Sequence, residues 1–228
     1  LRATAFAGDY DALIAAALER ARALDVSLTS YLGAALMLAI YGEMPALERR
    51  KPISISLPVN LRNFYPSGTA RNFFNSVYVS RPVAPGDTLA TVAPAFDAAL
   101  KEKLRPEAIQ AQMDEYEQLE QNPAIRPVPL PIKNAAVRFF THLEKQHVTA
   151  VLSNMGRIQV SEALRPYIRQ FAAFSSTDSL FTCVCSYGDD LVLGTASALR
   201  STNVLRRFYR ALAADGLDVT LYATEVEA

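Results

Sequence analysis

Ile53, Ile55 and Leu57 alternate with Ser54 and Ser56, the clearest strand pattern in the chain. Such a strand turns one face to a core and leaves the other polar. Pro58, lacking an N–H, is expected to end its regular pairing or to place it at an edge or a bulge. A polar loop over 63–70 contains Pro66, Ser67 and Gly68. Beyond it a second strand is predicted over Phe73–Val79, with Phe73, Val77 and Val79 on one face.

Before this pair lie two helical patterns. Tyr10, Leu13, Ala17, Leu18, Ala21 and Leu24 recur at helical spacing, with Asp9 as N-cap. A second helix follows Val26, capped by Ser27 or Thr29 and stopped at Gly42. Its stretch from Leu32 to Tyr41 is apolar on all sides, so other elements must cover every face of it. After the strands, Asp87 or Thr88 opens a helix with the stripe Leu89, Val92, Phe96, Leu100 and Leu104. Pro106 fits the first turn of the next helix, whose apolar side is Ile109, Met113, Tyr116 and Leu119. The other side, with Asp114, Glu115, Glu117 and Glu120, reads as a solvated face.

The stretch 122–131 carries Pro123, Pro127, Pro129 and Pro131 and is expected to be an irregular surface crossing inside one domain. A short helix with Val137, Phe140 and Leu143 follows, then a buried strand over Val148–Ser153 with Asn154-Met155-Gly156 as the turn at its end. Another strand is expected around Tyr167–Phe174. Strands over Phe181–Tyr187 and Leu191–Ala196 are joined by Gly188-Asp189-Asp190, a hairpin signal. Ser201 or Thr202 caps a last helix carrying Val204, Phe208 and Leu212, stopped at Gly216, and Val219–Ala223 is a final strand. This order predicts an α/β (α+β) fold, a mixed β-sheet flanked by helices, as a single domain over residues 1–228.

Composition narrows the function. Half of the 228 residues are hydrophobic, enough for a sizeable core. The 23 basic and 23 acidic residues balance, so charge makes no case for nucleic acid or an anionic membrane. The longest apolar run, Tyr31–Tyr41, has 11 residues, where a membrane span needs about 20. No basic stretch followed by an apolar run opens the chain, so the expected compartment is the cytoplasm. Cys183 and Cys185 share one face of a strand and read as buried free thiols.

The usual catalytic patterns are missing. His142 and His147 are not adjacent, and the positions four residues on are Gln146 and Val151, so neither has an orienting carboxylate there. The sequence contains no Gly-x-Ser-x-Gly elbow, no phosphate-binding glycine loop and no clustered metal ligands.

Four segments, taken in order, carry a resemblance. They are Val26-Ser27-Leu28-Thr29-Ser30, Ile55-Ser56-Leu57-Pro58-Val59-Asn60-Leu61-Arg62, Arg71-Asn72-Phe73-Phe74, and Val151-Leu152-Ser153-Asn154-Met155-Gly156-Arg157-Ile158. Together with the closing hairpin, helix and strand, they resemble the second half of the chloramphenicol-acetyltransferase-like superfamily. That group includes nonribosomal-peptide condensation domains, wax ester synthases and alcohol acetyltransferases, and the chain resembles the last of these branches more than the wax ester synthases. The chain departs from the pattern at Arg71, where a Gly usually precedes the Asn, and at Thr29-Ser30, where wax ester synthases carry Asn-Asp.

The resemblance implies the C-terminal lobe of a two-lobed CoA-dependent acyltransferase. A missing N-terminal lobe of the same polypeptide would hold the His-His-x-x-x-Asp-Gly base, absent here, so this chain is expected to contribute no catalytic residue. Acyl-CoA is implied as co-substrate and a small alcohol or amine as acceptor, with no tightly bound cofactor and no metal. Ser153, Asn154 and Gly156 would line the thioester channel, while Arg62 and Asn72 would be structural members of their motifs. Two alternatives stay open: a condensation-type lobe acting on carrier-bound thioesters, and a non-catalytic binding module of the same fold.

Overall fold

The computed structural model describes residues 2–6, 13–123, 126–175 and 178–223. Its elements in chain order are β1 (Arg2–Phe6), α1 (Leu13–Ala23), α2 (Leu28–Glu43), β2 (Ile53–Asn60), β3 (Phe74–Arg81), α3 (Leu89–Lys103), α4 (Pro106–Gln121), α5 (Leu130–His147), β4 (Ala150–Arg157), β5 (Leu180–Tyr187), β6 (Asp190–Ser197), α6 (Asn203–Ala214) and β7 (Thr220–Ala223).

The all-apolar α2 is covered as its composition demands. Helices α1, α3 and α6 pack around it, and its remaining side lies on β2 and β4. Ser27 is its N-cap, with the Ser30 N–H donating to the Ser27 hydroxyl. Gly42 does not stop it; the helix runs on to Glu43. A Cβ at Gly42 would come within 3.0 Å of the Arg207 side chain, so this glycine serves a close approach of α6. No single helix among the described residues is long and apolar enough to cross a membrane.

The strands form one mixed sheet in the order β3-β2-β4-β5-β6-β1-β7. Pairing is parallel at β2/β4 and β4/β5 and antiparallel elsewhere. Ile53, Ile55 and Leu57 join Val77, Val79, Leu152, Val184 and Leu193 in the core. Thr195 of β6 faces the same way, hydrogen-bonding Tyr209 of α6 at 2.8 Å. The helices therefore cover one face of the sheet.

Pro58 neither ends β2 nor bulges it. The strand pairs with β3 along its length, opposite Ser76 at Pro58, while pairing with β4 is confined to Ile55 and Ser56. Pro58 lies past that parallel pairing, where a missing N–H deprives no neighbour.

Two parallel neighbours need two crossovers. The first, from β2 to β4, returns through β3 and the helices. The second, from β4 to β5, is the segment 158–179, whose described residues contain no α-helix. The expected strand around Tyr167–Phe174 does not form: Arg165–Tyr167 is a short 3-10 turn and 168–175 is a strap outside the sheet. The strap lies on the face of β5 and β6 away from the helices. There the Cys185 thiol donates to the Phe171 carbonyl at 3.6 Å, and a Cβ at Gly194 would stand 2.0 Å from the Ala173 carbonyl oxygen. Main-chain contact this close excludes any side chain at 194 and leaves the strap no room to pair as a strand.

Other expectations differ in detail. The Asn154-Met155-Gly156 turn is a β-bulge inside β4, which continues to Arg157. Helix α5 spans 18 residues and takes in Leu130 and Pro131, because proline is tolerated in a first helical turn. Among the described side chains of α4 only Ile109 is fully buried, while Tyr116 and Leu119 are exposed. β1 was not anticipated. Asp9 and Tyr10 lie outside the described residues, as does the His142 side chain.

Candidate functional site

The face of the sheet that the helices do not cover is half closed by the strap. Over β2, β3 and β4 it stays open as a trough. Its floor comes from the polar half of the alternation: Ser54, Ser56, Pro58 and Asn60 of β2 stand opposite Ser80, Tyr78, Ser76 and Phe74 of β3. Two cavities of about 730 and 810 Å³ occupy it. They adjoin where Ser56, in the first, pairs with Tyr78, in the second.

The 730 Å³ cavity is the better furnished. Ser56, Ser76 and Ser153 line it, and none of their hydroxyls has a hydrogen-bond partner among the described residues. Phe73, Phe74, Val59, Val151 and Phe181 supply apolar wall, and among the described residues no acidic side chain lines it. Three hydroxyls over an apolar wall suit a ligand with amide or ester groups on a hydrocarbon frame.

The bulge in β4 builds one side. Gly156 sits at φ +70, a left-handed conformation that a bulge demands and glycine supplies without strain. Its N–H donates to Asn154 Oδ1 at 2.9 Å, and Asn154 Nδ2 donates to the Thr29 hydroxyl at 2.9 Å. Asn154 therefore spends its amide on anchoring the strand to the start of α2 while still lining the cavity. Ser153 lines it with a free hydroxyl, and Gly156 shapes the bulge without lining it.

The opposite side is the loop 61–73. Asn60 Oδ1 accepts from the Arg62 N–H at 3.1 Å, and the Leu61 N–H donates to the Phe73 carbonyl at 3.1 Å. Arg62 Nη2 donates to the carbonyls of Thr69 and Arg71, at 2.8 and 2.9 Å, and the guanidinium lies over the Phe73 ring. Arg62 thus caps carbonyls and holds the loop shut. Asn72, expected as a structural hydrogen-bonder, is exposed on the cavity wall with no such bond among the described residues.

The start of α2 is itself pinned. Asp97 of α3, nearly buried, accepts the Ser27 N–H at 3.0 Å and pairs with Lys101 at 2.7 Å. Burial pushes its carboxyl up, but the Lys101 ammonium, the Ser27 N–H and the nearby serine hydroxyls outweigh this and hold it at about 2. Burial, with each other's proximity for Cys183, pushes the thiols of Cys183 and Cys185 up, consistent with unreactive free thiols.

His147 lines the 810 Å³ cavity and is exposed. Glu48 in the same cavity is engaged with Lys51 at 2.5 Å. The structure does not bring His147 into the cavity that holds Ser153 and Asn154. Sequence reading missed Ser56, Ser76 and Arg71 as lining residues. The serine alternation of β2 was the available signal for the floor; the pairing of β3 that completes it is a long-range feature.

No protein-family model matches the chain, and no match to a curated protein was found. Solved structures do match. A nonribosomal peptide synthetase, FmoA3, matches with a TM-score of 0.62 at 16% identity, over 95% of this chain and 21% of that one. The first condensation domain of the CDA synthetase matches with a TM-score of 0.55 at 16% identity, over 98% and 48%. The PapA2 acyl transferase matches with a TM-score of 0.57 at 12% identity, over 94% and 44%. The chain spans less than half the length of each. At these identities the likeness establishes the fold alone: this chain is folded like part of a condensation domain.

Proposed function

We propose that this chain is the C-terminal lobe of a thioester-dependent acyltransferase and that the trough over β2, β3 and β4 is one wall of its substrate channel. The observation that carries the reading is the row of unpartnered hydroxyls, Ser56, Ser76 and Ser153, on the uncovered face of a condensation-domain-like sheet. Phe74 and Met155, 56% and 53% exposed beside it, support a covering partner, because such apolar surface next to an open cavity favours burial.

In this role the chain's residues bind and orient. Ser56, Ser76 and Ser153 meet the amide and ester oxygens of an acyl-CoA, Phe73 and Phe181 pack on its apolar stretches, and the Asn154–Thr29 tie keeps the wall in register. The proton acceptor for an alcohol or amine comes from the other lobe, since none of the described residues lining the cavity is a histidine or a carboxylate.

A photoreactive diazirine analogue of acyl-pantetheine, incubated with the purified chain and mapped by peptide mass spectrometry, tests this. The expected label falls on peptides of β2, β3 and β4. Label on the outer surfaces of α1, α3 and α6 instead would refute the reading.

A further inference from the structure

We propose that the arm formed by the second half of α4 and by α5 is a self-association surface, on which α4 of one copy of the chain pairs with α5 of another. The proposal stands on the arm's own side chains and does not depend on the channel reading.

Helix α4 leaves the body as it runs. Ile109, Met113, Tyr116 and Leu119 form one stripe at helical spacing. Ile109 is fully buried and Met113 half-buried, but Tyr116 and Leu119 are 51% and 59% exposed. The stripe that anchors the first half of the helix is therefore bare over the second. On α5, Ile132, Ala135, Ala136 and Phe139 fall within about 100° of one another around the helix axis. All four are exposed, Ile132 at 59% and Phe139 at 61%, and among the described residues no other element packs along α5. An amphipathic helix owes most of its stability to cover over such a stripe.

Charge indicates what covers it. Glu115 and Glu117 border the α4 stripe on its two sides, and α4 contains no lysine or arginine. Lys133 and Arg138 border the α5 stripe on its two sides, with no acidic residue on that helix before Glu144. No ion pair among the described residues uses Glu115, Glu117, Lys133 or Arg138. Each helix thus offers what the other lacks: an apolar stripe edged with carboxylates meets one edged with cations. A single copy carries both halves, so a two-fold axis brings α4 to α5 twice. With 23 basic and 23 acidic residues, net charge does not hold the copies apart.

Sedimentation velocity of the purified chain over a concentration series tests this. A reversible monomer–dimer equilibrium is expected, weakened by added salt because the bordering charges face solvent. Ile132→Gln, which keeps good helix propensity, raises the dimer dissociation constant about tenfold or more. Val137→Gln, at an exposed position on the opposite side of α5, leaves it unchanged and controls for helix content. A charge exchange reports the pairing itself. Glu115→Lys with Glu117→Lys gives an arm edged only with cations, and Lys133→Glu with Arg138→Glu gives one edged only with carboxylates. Each of these proteins alone stays monomeric, and the two mixed form a heterodimer. A chain that remains monomeric up to about 1 mM, the weak limit of measurable association, overturns the proposal. That holds whether the arm folds back on itself or is covered by another protein. A dimer indifferent to Ile132→Gln forms through another surface, such as the trough, and overturns it as well. So does a mixture of the two charge variants that stays monomeric while circular dichroism shows both folded.

Discussion

Asn154 and Thr29, 125 positions apart, are joined by a 2.9 Å hydrogen bond from the amide of one to the hydroxyl of the other. The bond ties a bulged strand to the first turn of the most buried helix. It sets where Ser153 faces the cavity, because the same amide also receives the Gly156 N–H that forms the bulge.

Asn154→Ala removes the donor to Thr29 and the acceptor for Gly156 together. The expected loss is about 1–2 kcal/mol in urea unfolding, the scale of two partly exposed hydrogen bonds. Hydrogen exchange should rise at 154–157. Unchanged exchange there would mean the bulge holds itself.

Gly194→Ala places a methyl where the Ala173 carbonyl oxygen lies 2.0 Å away. Backbone cannot give as a side-chain tip can, so the strap over 168–175 must lift, at a cost of about 2–3 kcal/mol. The lifted strap uncovers Cys185, whose thiol reaches Phe171 in the intact protein. Titration with a thiol reagent should show slow reaction in the native protein and a fast-reacting thiol in the variant.

Acid should weaken the fold through Asp97. Its carboxyl titrates at about 2 in the folded chain, against an ordinary carboxylate near 3.8. The unfolded chain then binds the proton more readily, so the stabilisation is present above about 3.8 and is lost as pH falls toward 2. Asp97→Asn, which does not titrate, should show a shallower fall across that window in denaturant-unfolding curves. Parallel curves for the two proteins would contradict the assignment.

Much of the fold was legible because it is local. The Ile53–Leu57 alternation, the Ser27 cap, Pro106 at a first turn and the Gly188 hairpin each follow from a few neighbouring residues. The errors lie where distant backbone decides. Gly42 looked like a stop because Arg207, 165 positions away, was invisible. The strap around 167–174 reads as a strand on its Tyr, Ile and Phe content alone, yet its place is on top of β5 and β6. The site divides the same way. Ser153 and Asn154 were reachable through a resemblance, while Ser56, Ser76 and Arg71 meet only through pairing and loop closure.

The central claim, that the open face of β2, β3 and β4 holds the thioester substrate, is tested most directly by calorimetric titration of acetyl-CoA into the chain and into Ser56→Phe. The introduced ring projects into the 730 Å³ cavity from its floor. Occlusion predicts affinity reduced by about tenfold or more, read at a temperature where unfolding curves show both proteins folded. Equal affinity in the two proteins would place the substrate elsewhere.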